Sequence, residues 1–135
     1  MGDKVRARTW LQDRLARMPL SELMKGLMAS LATIVDDRFD DAFHCMQAMT
    51  IPHEPEVLIY LARHYSYIGS SDSAVKALKS ATQSGFVCAP DTLGCDPWLN
   101  AARAHRDFGS LLAEAESSVD DARSVLRTCG ARILD

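Results

Sequence analysis

PEVLIYLARHYSYIGSSDSAVKALKSATQSGF, residues 55–86, is the stretch that decides how this chain folds. Its apolar residues recur every three or four positions: Leu58, Leu61, Ala62, Tyr65 and Ile68, then Ala74, Val75, Leu78 and Ala81. That spacing draws one stripe along a helix, twice over, whereas a strand would need strict alternation. Between the two runs Gly69 tolerates the left-handed backbone that ends a helix. Ser71 reads as the next N-cap, its hydroxyl placed to accept a backbone N–H that the first turn leaves unpaired. Gly85 closes the second run. The stretch predicts a helical hairpin, one helix over about 56–68 and its partner over about 71–84.

Working outward, the same periodicity continues on both sides. Leu20, Leu23, Met24, Leu27, Met28, Leu31, Ile34 and Val35 form an amphipathic face over residues 20–35. Asp36-Asp37-Arg38 predicts a turn, and a helix from about Phe39 to Met49 follows, with Phe39, Ala42, Phe43 and Met46 inward. Ile51-Pro52-His53-Glu54-Pro55 ends it, because the residue before a proline is pushed out of helical space. Ahead of all this, Val5 to Arg17 carries Trp10, Leu11, Leu15 and Met18 on one side until Pro19 interrupts. Downstream, Pro90 and Gly94 mark 86–95 as an irregular connection. Asp96-Pro97 sets an N-cap before a proline whose missing N–H costs nothing at the first helical position, and that short helix ends near Arg103. Phe108, Leu111, Leu112, Ala115, Val119, Ala122, Val125, Leu126 and Cys129 then keep register without a breaker, a long terminal helix closed by Gly130. No segment alternates with a period of two, so the fold class is all-α.

Residues 55–86 also resemble a tetratricopeptide repeat. Leu61-Ala62 stands for the Leu-Gly pair, Tyr65 for the first-helix aromatic and Gly69 for the turn glycine. Ala74, Leu78 and Ala81 occupy the small, large and small positions of the second helix. The sequence departs from the pattern at Leu58, where the family has tryptophan, and at Phe86, where it has proline. Arg38-Phe39-Asp40-Asp41-Ala42 is similar to the "G-R-F-D-E-A" opening of a second repeat helix, with Asp37 where glycine usually sits and Ser30 at the small position of the first helix. The resemblance implies a TPR-like α–α superhelix: one domain over 1–135, with an N-terminal capping helix (4–18), a degenerate repeat (20–50), the best-matched repeat (55–86) and a C-terminal cap (96–130). Glu54-Pro55-Glu56-Val57, Ser84-Gly85-Phe86, Asp96-Pro97-Trp98-Leu99, Phe108 and Cys129-Gly130-Ala131-Arg132-Ile133-Leu134 further resemble the C-terminal tetratricopeptide segment of multidomain bacterial regulators with kinase, cyclase or winged-helix domains. There the chain often reads "D-P-R-F" where His105-Arg106-Asp107-Phe108 stands here.

Composition narrows the function. With 47% hydrophobic and 24% charged residues the 135-residue chain can bury a core, and a net charge of -3 gives no field to attract nucleic acid. The helix over 71–84 carries only Lys76 and Lys79 as cations, too few for a DNA-recognition helix. No apolar run approaches the roughly 20 residues of a membrane span, and no apolar core follows the basic start, so the reading is cytoplasmic with reduced thiols. Cys45, Cys88, Cys95 and Cys129 lack metal-ligand spacing and read as free, buried thiols. His44 and Cys45 are neighbours that diverge on a helix, and with His64 and His105 they make no nucleophile or metal motif. Asp36, Asp37, Asp40 and Asp41 lack calcium-loop order.

With these motifs missing, the tetratricopeptide resemblance implies a non-enzymatic interaction or scaffolding module without cofactor or metal, whose partner is a protein or peptide. The resemblance implies a concave surface built from the first helix of each hairpin, with Ile59, Arg63, Ser66 and Tyr67 as the partner-binding positions. Arg63 is suited to fork onto a carboxylate, and Tyr67 offers a flat face with a hydroxyl. The alternative is self-association as a homodimer, with the basic first helix (Lys4 to Arg17) set against the acidic turn (Asp36 to Asp41) of a second copy.

Overall fold

A computed structural model describes residues 3–50, 54–86 and 88–130. The helix-breaking Ile51-Pro52-His53 and the closing motif from Ala131 to Leu134 lie outside them. The described residues are helical and hold no strand: α1 (Lys4–Arg17), α2 (Glu22–Val35), α3 (Phe39–Gln47), α4 (Pro55–Tyr67), α5 (Ser71–Gln83), α6 (Pro90–Cys95), a 3-10 turn (Pro97–Leu99), α7 (Asn100–Arg103) and α8 (Phe108–Gly130). None of these helices is long and apolar enough to cross a membrane.

The hairpin at the centre is α4 against α5, the most extensive helix contact in the molecule. Ala62, Ala74 and Ala81 are fully buried, so the two backbones approach closely, and Leu61, Tyr65 and Leu78 fill the space around them. Gly69 and Gly85 both adopt φ +86°. After each, the next N–H reaches back across the turn, Ser70 to the Tyr65 carbonyl (2.8 Å) and Phe86 to the Ala81 carbonyl (3.1 Å). This is the six-to-one bond that satisfies a helix's last carbonyls. Ser70, not Ser71, precedes α5, and it makes no capping bond with its side chain.

α2 and α3 form the hairpin before it. Ser21 caps α2 through its side chain, and Leu27, Ser30 and Ile34 are buried. Gly26 lies close beneath Met49, where an added Cβ would stand 2.9 Å from Met49 Cγ. The turn between these helices is made at Asp37, whose φ of +57° falls in the left-handed region that a short polar side chain tolerates best after glycine. That is the position where the sequence pattern has Asp in place of Gly.

α1 lies mainly on α2. Lys4 Nζ sits 2.5 Å from Asp37, and Arg8 Nε 2.6 Å from Asp36. The basic helix and acidic turn expected to pair two copies are thus paired within one chain. With one main neighbour, α1 buries only Leu11, and the expected inward Trp10 and Met18 are exposed. Phe39, also expected inside, lies at the start of α3 with its ring at the surface.

The chain after Gly85 is more regular than its Pro and Gly content suggests. Pro90 opens α6 at the first helical position and Leu93 is buried, so a helix replaces the expected irregular connection. Asp96 caps the following turn as its sequence predicts, accepting the Trp98 N–H at 2.9 Å. Leu99, Ala102, Phe108, Leu111 and Ala115 join the central cluster of Leu27, Ile34, Ala42, Met46, Val57 and Leu61. Of the four free thiols only Cys88 is buried. Cys45 is partly covered, while Cys95 and Cys129 are exposed.

Candidate functional site: an aromatic face along α4

α4 buries Val57, Leu61, Ala62, Tyr65 and Ser66, and its adjoining face carries Tyr60, Arg63, the buried His64 and Tyr67 at the i, i+3, i+4, i+7 spacing of a helix. Two elements flank that face. On one side α2 brings Leu31 and Ser30; on the other, the turn at 97–99 lays Trp98 across it. The Trp98 ring centroid is 4.6 Å from that of Tyr67 and 5.7 Å from that of His64. The Arg63 guanidinium carbon stands 5.6 Å from the centre of the indole ring. Phe39 meets Tyr67 edge to face at 6.3 Å. Leu31, Tyr60, Arg63, His64 and Trp98 together line an open recess of about 260 Å³.

Each polar group here has a defined role. Arg63 Nε lies 2.8 Å from Asp96 Oδ2. The oxygen is out of line with the N–H, so the contact is an ion pair and not a directed hydrogen bond, and this buried Nε has no hydrogen-bond acceptor. Asp96 thus works twice, as the cap of the turn carrying Trp98 and as counter-ion to Arg63. Arg103 fixes the same turn by donating to the carbonyls of Leu93 (3.1 Å) and Asp96 (2.9 Å). His64 is buried, with Nδ1 3.1 Å from the Ser30 hydroxyl. Burial, with a smaller effect of the Arg63 charge, lowers its pKa from 6.5 to about 4, so the imidazole is neutral at physiological pH.

The four positions expected to bind a partner separate in the structure. Tyr67 is half exposed and Arg63 partly so, and both belong to the face just described. Ile59 is half-buried and packs against the core. Ser66 is not a groove position at all. It is buried, and its hydroxyl accepts the Ala102 N–H at 3.0 Å, holding α7 onto α4. Ser66→Ala is therefore expected to strand that N–H and destabilise the fold by about 1–3 kcal/mol in urea denaturation. A loss below about 0.5 kcal/mol, the scale of an ordinary surface change, would show the bond to be dispensable.

Sequence reasoning missed Tyr60, His64, Trp98, Leu31 and Phe39. The first two were readable on the helical wheel of α4, beside Arg63 and Tyr67. Trp98 approaches α4 only through the tertiary path of 88–99, and nothing in local spacing announces it.

Elsewhere, polar pairs tie α5 to the turn between α7 and α8, where His105 Nδ1 also accepts the Asp107 N–H at 3.1 Å. His105 Nε2 lies 2.9 Å from Asp72, and Lys79 2.6 Å from Asp107, whose carboxyl this contact holds below its usual range. Among the described residues no three His, Cys, Asp or Glu side chains are grouped to hold a metal ion. No protein-family model, no curated protein and no solved structure matches the chain.

Proposed function

We propose that this chain is a TPR-like, non-enzymatic interaction module, and that its partner, a protein or peptide, docks on the α4 face at Tyr60, Arg63, Tyr67 and Trp98. The observation that carries the reading is the composition of that face. Tyr60 and Tyr67 are 43% and 49% exposed; Tyr60 lines the recess with Arg63 and Trp98, and Tyr67 lies against the Trp98 ring. Tyrosine, tryptophan and arginine are the residues that dominate binding energy at protein interfaces, because they offer large rigid area with a polar edge. Charge neutralisation by Asp96 and the neutral His64 leave a surface suited to an apolar anchor side chain.

The repeat reading is supported by element spacing. α2 begins at Glu22 and α4 at Pro55; α3 begins at Phe39 and α5 at Ser71. Both intervals are close to the period of about 34 residues of tetratricopeptide arrays. The 3-10 turn with α7, followed by α8, adds one further helical pair after α5. Under this reading α2, α4 and the 97–103 segment are the first helices of three units, and the α4 face lies on the side they share. The resemblance of the C-terminal segment suggests a cytoplasmic module working alongside the catalytic or DNA-binding domain of a bacterial regulator.

The test is selection of binders from a random peptide library, followed by affinity measurement against variants. Tyr67→Ala and Trp98→Ala are each expected to weaken selected peptides by about thirtyfold, the scale of a ~2 kcal/mol hot spot. Circular dichroism should remain unchanged for Tyr67→Ala. Peptides that bind Tyr67→Ala, Trp98→Ala and Arg63→Glu as tightly as the parent would place the binding surface elsewhere.

A further inference from the structure

The second half of α8 is a helix whose apolar stripe stays exposed past Val119, with Pro90 and Asp91 of α6 beside its first turn. In its first half Phe108, Leu111 and Ala115 are buried against α5, α6 and α7. Residues 120–129 are all exposed, Val125 at 60% and Leu126 at 70%. The stripe does not stop where the core stops. Phe108, Leu112, Ala115, Val119, Ala122, Leu126 and Cys129 follow alternating steps of four and three, the heptad spacing of a helix that packs along another helix. The arm from Asp120 to Gly130 extends about 16 Å at a helix's rise of 1.5 Å per residue.

We infer that this arm pairs antiparallel with the same arm of a second copy, about a two-fold axis passing near Ser124. The self-complementarity of the stripe carries the choice of occupant. With that axis Ala122 faces Leu126 of the second copy and Val119 faces its Cys129, and each layer occurs twice. Small opposes large in the central layers, so the helices approach closely without a void. Val125 meets its own equivalent beside the axis, extending the apolar seam to a residue the monomer leaves in water. On the other flank Asp120, 3.2 Å from its own Arg123, comes opposite Arg127 of the second copy, and the reciprocal pair forms by symmetry. Those two carboxylates offset the approach of the two Arg123 side chains. A two-fold pairing of identical surfaces also closes on itself and leaves no surface to propagate. Three turns of helix bury less than the 1,200–2,000 Å² of a standard interface, so the dimer is a weak one.

Disulfide trapping tests the pairing and its direction. In the full chain with Cys45 and Cys95 replaced by serine, Val119→Cys places a thiol opposite Cys129 of the second copy. Mild oxidation is expected to yield a covalent dimer that disappears when Cys129→Ser is added. Without Val119→Cys no covalent dimer is expected, since antiparallel arms hold the two Cys129 residues about 15 Å apart, beyond disulfide reach. Sedimentation equilibrium up to ~1 mM chain should show a monomer–dimer balance whose dissociation constant rises at least tenfold in Leu126→Lys, at a site too exposed for the change to unfold the protein. A monomer throughout that range, or cross-linking through Cys129 alone, overturns the inference.

Discussion

Leu61→Ala is expected to remove about 2–5 kcal/mol of stability, the range for emptying a fully buried leucine site. Leu61 is 1% exposed and belongs to the buried cluster that includes Met46, Val57, Tyr65, Ala74 and Leu78. Replacing its isobutyl group by methyl loses the transfer free energy of three carbons and leaves a space those neighbours cannot close, because Ala62 and Ala74 already hold the backbones at close approach. For a domain whose total stability is on the order of 5–15 kcal/mol, such a loss can unfold a large fraction of the molecules. Leu126→Ala makes the matched control: the same chemistry at a 70% exposed position should change monomer stability by less than about 0.5 kcal/mol. Urea denaturation at low chain concentration measures both. Equal effects at the two sites would contradict the placement of the core between α4 and α5.

That contrast also explains how far the sequence could be read. Leu61 and Leu126 are both leucines in register on a helix, and local spacing treats them alike. Spacing reports which residues share a face; it does not report whether another element covers that face. The central hairpin was legible because its turn glycines, small residues and large residues all answer to contacts within 32 residues of chain. Asp37 was legible for the same reason, as a left-handed turn position is a local property. The errors fall where coverage comes from a distant segment or fails to come. Trp10, Phe39, Val125 and Leu126 have the right periodicity but too few neighbours. Ser66 fails in the opposite sense, as a polar residue on the border of the buried stripe that α7 covers and uses as an acceptor.

The candidate site follows the same logic. Arg63 and Tyr67 were legible as polar-face residues of α4, and Tyr60 shares that face by the same helical spacing. What makes the face a surface with shape is Trp98, delivered by the Asp96 cap, the Arg103 clasp on the turn and the Ser66 bond to α7. The Asp96 cap is local and legible in Asp96-Pro97, but the Arg103 clasp and the Ser66 bond join residues 7 and 36 positions apart. The site is therefore an outcome of tertiary assembly, and changes at Asp96, Arg103 or Ser66 should weaken partner binding indirectly, by loosening Trp98.

Acidification from pH 6.5 to 4.5 is expected to destabilise the protein by about 2–3 kcal/mol more than it destabilises a His64→Gln variant. In the folded chain the His64 pKa is lowered to about 4, first by burial and then by the Arg63 charge; the unfolded chain restores its ordinary 6.5. The unfolded state therefore binds a proton through this window that the folded state refuses. The contribution is fully present above 6.5, declines as pH falls, and levels off below about 4, where both states are protonated. The Ser30 hydroxyl can serve either ring form, so it neither prevents nor drives the change. What opposes charging is the burial of the ring beside Ser30 and Trp98, together with the Arg63 cation, while Asp96 is directed at Arg63 instead. Carboxylates titrate in the same window, but they do so in both proteins, and the difference between the two urea-denaturation series isolates His64. Parallel stability curves for the parent and His64→Gln between pH 7 and 4 would mean that the imidazole reaches water or a counter-charge in the folded state. In that case the recess beside Trp98 would be open to its floor, and an acidic ligand group, not only an apolar one, would fit there.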